Sequence, residues 1–197
     1  MHVFSESPII NSGTQVYEAP YDGAISGASP YSGSARIINF SMNGGYQIGT
    51  ASLPVDGIFE DIIIPPPPDY ALNPASTYYD ALGLPVSAIK EGADILTGDL
   101  HIYDSSGGLV FFTAAAVFQG GDHKSGEWYT YFYSKGDITV QQPKTQIYPG
   151  FYVTVNLQIK AGWNYVAQSE SEKSYTMISK NPPPDARWVW VDDPGKL

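Results

Sequence analysis

The sequence predicts an all-β protein: one or more antiparallel β-sandwiches of Ig-like or jelly-roll-like type, with little helix. The first observation is the segment Phe151–Ile159, in which apolar and polar side chains alternate without exception. The second is composition, since 15 Tyr and 4 Trp favour strands while 20 Gly and 16 Pro supply turns. The third is a series of strand patterns separated by short Gly-containing turns, which favours pairing between sequence neighbours.

We expect Phe151–Ile159 to be the first strand of an organising hairpin. Continued through Trp163, its alternation would far exceed the usual strand length of about 5–6 residues. The intervening Lys-Ala-Gly segment fits a three-residue hairpin loop that closes on glycine. This loop would fold residues 163–166 back onto the first strand. It would also place Trp163 in the core beside Leu157 and Ile159.

The other strands are predicted from alternation and flanking turn residues. A second hairpin is expected across the turn at 104–108, and a third across the turn at 134–137. One helical turn is expected around 77–82. In chain order the predicted strands are 14–17, 35–42, 46–53, 58–64, 95–103, 109–118, 128–133, 138–140, 174–178 and 187–191.

Four consecutive prolines at 65–68 mark the predicted domain boundary, because residues without an N–H cannot continue a β-ladder. We therefore expect a small acidic β unit at 1–68 and a Pro-rich connector at 69–92. A β-sandwich built on consecutive hairpins should follow at 93–197. Chain length alone is compatible with one domain or two.

The net charge of the chain argues against some classes of binding partner. Ten basic residues against 20 acidic ones give a net charge of −10, which argues against nucleic acid and against anionic membrane surfaces. The imbalance lies in the first half, where residues 1–100 hold two basic residues, Arg36 and Lys90, and eleven acidic ones. This asymmetry has two interpretations. The acidic half either keeps the protein soluble or attracts cations such as calcium.

The sequence contains few features that indicate the cellular location of the protein. The chain contains no cysteine, which excludes structural disulfides and thiol catalysis but is compatible with export. Its first residues show no basic region followed by an apolar run, so no signal peptide is predicted, and Met1 is either a natural start or a replacement for a removed signal. No apolar run approaches the ~20 residues of a membrane helix.

Three segments carry a resemblance to a family. They are Leu-Pro-Val-Asp-Gly-Ile-Phe-Glu-Asp-Ile-Ile-Ile-Pro at 53–65, the strands at 129–133 and 137–140, and Val-Asn-Leu-Gln-Ile-Lys-Ala-Gly-Trp-Asn-Tyr-Val at 155–166. Together they resemble uncharacterised surface lipoproteins of spirochaete type. The resemblance implies an exported ectodomain at the cell surface, outside the cell or in the periplasm, tethered by an N-terminal lipid. The lipidated cysteine of that family does not occur here, and the family implies no catalytic residues.

We find no pattern that predicts a catalytic set. The histidines His2, His101 and His123 have no metal-binding spacing, and no serine lies in a Gly-x-Ser-x-Gly motif. Glycosidase chemistry needs two carboxylates about 5–10 Å apart, and the sequence gives no reason to choose any two of its acidic residues. The expectation is therefore a protein that is not an enzyme and needs no cofactor. Calcium is the candidate metal, at the oxygen-rich loops 56–61 and 104–108.

Aromatic residues supply the candidate ligand-binding site. On the predicted strand 128–133, the side chains of Tyr129, Tyr131 and Tyr133 share one face, and a Tyr row can stack on sugar rings or fill a protein interface. Trp188 and Trp190 are further candidates. The function expected is a non-enzymatic, exported surface protein with a structural or adhesion role, whose partner is a protein or a glycan. The alternative is a carbohydrate-binding module that uses an exposed Tyr/Trp platform.

Overall fold

Strands dominate the chain in the computed structural model, which describes residues 9–18, 28–105, 109–113, 117–119, 122–124 and 126–191. The all-β class is thereby confirmed. The strands are β1 (Ile9–Ile10), β2 (Thr14–Glu18), β3 (Ser29–Pro30), β4 (Arg36–Met42), β5 (Tyr46–Leu53), β6 (Ile58–Phe59), β7 (Ile62–Ile63), β8 (Asn73–Pro74), β9 (Ile89–Glu91), β10 (Leu96–Asp104), β11 (Leu109–Thr113), β12 (Val117–Gln119), β13 (Asp122–Lys124), β14 (Gly126–Ser134), β15 (Ile138–Tyr148), β16 (Phe151–Ile159), β17 (Gly162–Ser171), β18 (Ser174–Ser179) and β19 (Arg187–Val191).

Several strand boundaries differ from the predicted ones for local reasons. The predicted strand 58–64 is interrupted at Glu60 and Asp61, whose side chains have low β-propensity, and it forms β6 and β7 instead. β15 continues through Pro143 to Tyr148, and its register against β16 shifts between Gln142 and Thr145, where the proline cannot donate to the ladder. The predicted strand 109–118 is described as β11 and β12, and residues 114–116 lie outside the described part.

Most strands join one hydrogen-bonded sheet, whose main path is β3-β2-β19-β11-β10-β14-β17-β18-β16-β15-β9. β4 pairs with β10 and carries β5 on its other side. The pairs β16–β18 and β2–β19 are parallel, whereas the other pairs in the described chain are antiparallel. The sheet is therefore mixed, and the Ig-like or jelly-roll-like arrangement stays a prediction.

Two predicted hairpins are wrong. β14 does not pair with β15, because its two edges are occupied by β10 and β11 on one side and by β17 on the other. The predicted organising hairpin also fails, since β18 lies between β16 and β17 and pairs with both. A strand has two hydrogen-bonding edges, so a turn residue pattern between two strands cannot alone decide their pairing. The predicted second hairpin is confirmed by the antiparallel pairing of β10 with β11, and β4 and β5 also form a hairpin.

Two hydrophobic clusters lie on opposite faces of the central strands. Alternate side chains of β14 and β17 reach different clusters: Tyr131 and Trp163 enter the first, and Phe132 and Val166 enter the second. The first cluster includes Ile10, Val16, Tyr31, Ile38, Phe40, Met42, Leu53, Phe59, Leu100, Ile102, Trp188 and Trp190. The second includes Ala75, Tyr79, Leu84, Ile138, Val140, Val153, Val155, Leu157, Ile159 and Met177.

The predicted boundary at 65–68 does not separate two cores. β4, from the predicted acidic unit 1–68, pairs with β10, from the predicted sandwich 93–197, over five residues from Ile38 to Met42. β2 pairs with β19 near the other end of the chain. The first cluster likewise draws side chains from both units. The prolines end a strand, as predicted, but the flanking segments share one sheet and the first hydrophobic cluster.

The predicted connector 69–92 contains regular structure that packs against the sheet. Its short helix α1 (Ala75–Ala81) lies where a helical turn was expected, and it buries Ala75 and Tyr79 in the second cluster. Two 3₁₀ turns, Asp69–Ala71 and Val86–Ala88, flank it. No helix in the described ranges has the length and apolar character needed to cross a membrane.

Candidate functional site

The aromatic residues predicted to form a platform are mostly buried. Tyr129 and Trp190 are each 2% exposed, Tyr131 is 5% exposed and Trp188 is 6% exposed, while Tyr133 is half-buried. For the tyrosines, the reason is the position of β14 in the middle of the sheet, with a hydrophobic cluster on each face. The two tryptophans lie on β19, which is paired on both edges, by β11 and β2, and both belong to the first cluster. These residues therefore do not form an exposed row, and each has to be considered in its own surroundings.

Tyr129 belongs to a small ionic group at one end of β14. Its hydroxyl donates to the Glu127 carboxylate, which also accepts from Nζ of Lys180 at 2.6 Å. Burial raises the pKa of Tyr129 to about 12, and the bond to Glu127 adds to this shift. For Glu127, burial would raise the pKa, but the bonds from Lys180 and Tyr129 outweigh it and lower the pKa. The Tyr129 ring is thus held by local contacts.

Trp190 belongs to a buried polar group around Asp104. Its Nε1 donates to Oδ2 of Asp104 at 3.2 Å, and the Arg36 guanidinium lies 4.2 Å from the centre of its ring. Tyr31 contacts the same indole edge-on at 5.5 Å and accepts from Nε of Arg36 at 2.9 Å. Each of these groups has a partner inside the protein, so this arrangement is suited to holding strands together.

Tyr131 and Trp188 are the two predicted residues that line a cleft. Their rings stack at a centroid distance of 6.2 Å, and the cleft has a volume of about 390 Å³. Tyr165 from β17 lies beside Tyr131 at 4.7 Å, and their hydroxyls form a 2.8 Å hydrogen bond. The wall of the cleft comes from the chain around β2 and from β19; it consists of Ile10, Asn11, Thr14, Gln15, Tyr17, Ala186 and Arg187. We call this site the aromatic cleft.

The electrostatics of the aromatic cleft are set by burial and by one cation. Burial raises the pKa of Tyr131 well above its ordinary value, and the neighbouring Tyr165 adds to the shift. Burial also raises the pKa of Tyr165. Both phenols therefore stay protonated at neutral pH and can act as neutral hydrogen-bonding groups. The exposed Arg187 places its guanidinium 4.7 Å from the centre of the Tyr17 ring, at cation–π distance.

Sequence reasoning missed Tyr17, Tyr165 and Arg187. Tyr165 carried a usable signal, because it alternates with Trp163 on the same predicted strand. The other two converge on the cleft through the parallel pairing of β2 with β19, in which Val16 lies opposite Trp188. Pairing between strands more than 150 residues apart leaves no local pattern in the sequence.

The described parts of the predicted calcium loops do not assemble a ligand set, and residues 106–108 of the loop 104–108 lie outside the described ranges. Asp104, in the second loop, has its carboxylate paired with Nη1 of Arg36 at 2.8 Å. In the first loop, Oδ1 of Asp56 accepts from the Ile58 amide and Oδ1 of Asp61 accepts from the Ser12 amide. Across the described ranges, no three His, Asp or Glu side chains are grouped so that they could hold a metal ion.

His101 is the one histidine whose side chain the structure describes. Its Nε2 lies 2.9 Å from Oδ2 of Asp99, and this hydrogen bond raises the pKa of His101 although partial burial opposes the shift. Asp99 also accepts a hydrogen bond from Tyr78, whose pKa is raised by burial. His2 lies outside the described residues, as does the side chain of His123.

Comparisons of the chain with models of protein families, with curated proteins and with solved structures found no significant match.

Proposed function

We propose that this protein is a non-enzymatic, exported surface protein with an adhesion or binding role, and that the aromatic cleft is its binding site. The observation that carries this proposal is the convergence of four aromatic rings and one guanidinium on a single cleft. Its volume of about 390 Å³ falls within the ~300–1,000 Å³ typical of small-ligand pockets. The placement at the cell surface rests on the resemblance to spirochaete-type lipoproteins.

The chemistry of the aromatic cleft suits a ligand with a flat or ring-shaped apolar face and several polar groups. The rings of Tyr131, Tyr165 and Trp188 supply apolar lining, and the paired phenol oxygens supply hydrogen-bonding groups. The exposed Arg187 adds a positive charge to the lining, which would favour an anionic or strongly polar group of the ligand.

The second candidate function is carbohydrate binding, and the aromatic cleft also provides its supporting observation. Sugars combine apolar C–H faces, which pack on aromatic rings, with hydroxyls that bond to phenols and guanidinium groups. The platform first expected on β14 is buried, so the sugar would enter the aromatic cleft instead. A glycan at the cell surface is therefore one of the two classes of partner, and a protein surface loop is the other.

The test begins with a glycan array and calorimetric titration of the full chain, followed by two variants. Tyr131→Phe removes one phenol oxygen and Arg187→Gln removes the positive charge of the lining; each should weaken binding about tenfold, as expected for one lost hydrogen bond or charge contact. The matched controls are Tyr175→Phe in the second cluster and Lys173→Gln on the β17–β18 turn.

Two results would overturn the site assignment. One is glycan binding that is indifferent to both cleft variants. The other is binding that the control variants weaken as strongly. Binding of a protein partner with no glycan binding would support the first function and reject the second. Export itself is tested by treating intact cells of the species that encodes the protein with an external protease, since a protein inside the cell would be protected.

A further inference from the structure

A second concave surface lies between β5 and β7, and it shares no lining residue with the aromatic cleft. It has a volume of about 450 Å³. One wall is formed by Thr50, Ala51, Ser52 and Pro54, and the other by Glu60, Asp61, Ile62 and Ile63. We call this surface the edge groove, because β5, which forms most of one wall, has an unpaired edge.

The wall formed by β5 is a free sheet edge. Within the described residues β5 pairs with β4 alone, and Thr50 and Ser52 are exposed. A free edge presents unpaired N–H and C=O groups and therefore templates the addition of another strand. The β4–β5 register is regular from Leu53 back to Gly49, and the shift in it lies beyond Gly49, outside the edge groove. The part of β5 that lines the groove is thus a regular template.

The other ends of the sheet are protected in ways that β5 is not. β3 has two residues and ends in proline, and β9 has three residues, of which Lys90 and Glu91 are charged. β5 has eight residues, YQIGTASL, with neither a charge nor a proline among them. Short length, charge and proline are the usual means by which proteins prevent unwanted strand addition. None of these features occurs in β5, so its free edge is available for pairing.

The charge of the edge groove selects the partner. Glu60 and Asp61 are exposed in its wall, and no basic residue lines it. The surrounding half of the chain carries eleven acidic residues against two basic ones. Ile63, 67% exposed on the same wall, offers an apolar contact. An added strand would therefore meet backbone groups on one side, and an apolar side chain and negative charge on the other.

We propose that the edge groove binds an extended basic peptide segment of a partner protein, which adds to β5 as a strand. The outward main-chain groups of Thr50 and Ser52 would supply affinity, and Glu60 and Asp61 would select Lys or Arg side chains. At about 3.3 Å per residue, five to seven residues of the partner cover the regular edge. The proposal is independent of the aromatic cleft, so either can fail without the other.

The experiment selects binders from a displayed library of random nonapeptides on the full-length protein. Enriched peptides should carry Lys or Arg among β-branched residues. Their binding should slow amide exchange at Thr50 and Ser52, whose N–H groups point away from β4. Successive N–H groups of a bound strand point to opposite edges, so only every second one bonds to β5. N-methylation of those residues should lower the affinity about tenfold, and N-methylation of the residues between them should have little effect.

Charge is tested with two variants that change the net charge equally. Glu60→Lys should lower the affinity about tenfold or more, while Glu172→Lys on the β17–β18 turn should change it less than about twofold. The proposal is overturned if no basic peptide is enriched, if binding ignores Glu60→Lys, or if exchange slows elsewhere. It is also overturned if the free protein dimerises and protects the same amides, since the occupant would then be a second copy of the chain.

Discussion

Nη1 of Arg36 lies 2.8 Å from Oδ2 of Asp104, a carboxylate whose side chain is only 1% exposed. The two residues belong to β4 and β10, which pair directly, and they come from the two halves that the sequence divides at its proline run. Trp190 on β19 contacts both, through its indole N–H and its ring face. The ion pair and Trp190 together therefore join three strands that are distant in sequence.

Asp104→Asn should lower the free energy of unfolding by about 3 kcal/mol. The change removes the negative charge of Asp104 that faces the Arg36 guanidinium, and breaking a buried ion pair typically costs about 3–5 kcal/mol. We place the value at the lower end because the Arg36 side chain is 26% exposed. Urea unfolding measures the effect, with Asp69→Asn as the control, since Asp69 pairs with Lys135 at an exposed site. Equal shifts for the two variants would contradict a structural role for Asp104.

Two buried tyrosines should respond in opposite directions to loss of the hydroxyl. The Tyr79 hydroxyl is buried with no hydrogen-bond partner among the described residues, so Tyr79→Phe should raise stability by about 1 kcal/mol. Tyr31 is equally buried, but its hydroxyl donates to the Ser34 carbonyl and accepts from Arg36. Tyr31→Phe should therefore lower stability by about 1–3 kcal/mol. Thermal and urea unfolding of both variants test this, and shifts of the same sign would refute it.

Local sequence patterns predicted the strands well because alternation reports which residues face a core. β5 and β16 were predicted with their observed bounds, and α1 lies where a helical turn was expected. Strand pairing was predicted less well. The turn after β16 suits a hairpin, and Gly162 has the positive φ of +96° expected there, yet β18 inserts between the two strands. Insertion of a later strand depends on tertiary packing and leaves no trace in the turn itself.

The sequence named two of the residues that line the candidate site, the aromatic cleft. Tyr131 and Trp188 were named from the density of aromatic residues, and they line the aromatic cleft. Tyr129 and Trp190 were named on the same grounds, but local ionic groups hold them inside the fold. Aromatic content cannot distinguish these cases, because the difference lies in which strands cover each ring.

The Asp99–His101 pair should make stability depend on pH. The folded-state pKa of His101 is raised, so the stability that the pair contributes is fully present below the unfolded pKa of about 6.5. It is lost as the pH rises through the folded-state pKa. The difference in unfolding free energy between the wild type and His101→Gln should therefore shrink as the pH rises from about 5.5 to 8.5. A difference that grows over this range would contradict the prediction, and an NMR titration of the imidazole gives the pKa directly.

A fragment of residues 80–197 should not fold as an independent sandwich. It lacks β4 and β5, and with them the side chains of Ile38, Phe40 and Leu53 in the first cluster. Exposed apolar surface and the uncovered edge of β10 should then favour a molten or aggregating state. A ¹H–¹⁵N spectrum of the fragment with the dispersion and shifts of the full chain would show that the second half has its own core.

Trp163→Ala should be among the most destabilising single changes in the chain. Trp163 is 1% exposed and lies in the first cluster, edge-on to Tyr133 at 5.1 Å and to Tyr131 at 6.4 Å. The predicted burial is confirmed, whereas the predicted neighbours Leu157 and Ile159 lie in the second cluster. Truncating a buried Trp to Ala typically costs about 3–5 kcal/mol, a large share of the ~5–15 kcal/mol that stabilises a domain.

The surroundings of Trp163 also predict the effect of a milder change. Its Nε1 is buried with no hydrogen-bond partner among the described residues, so Trp163→Phe removes no bond seen there and should cost clearly less than Trp163→Ala. Gln158→Ala, on the exposed face of β16, is the control and should leave the urea midpoint nearly unchanged. If Trp163→Ala shifts the midpoint no more than Gln158→Ala, the indole contributes nothing to the first cluster. If Trp163→Phe costs as much as Trp163→Ala, the indole nitrogen has a partner that stabilises the fold.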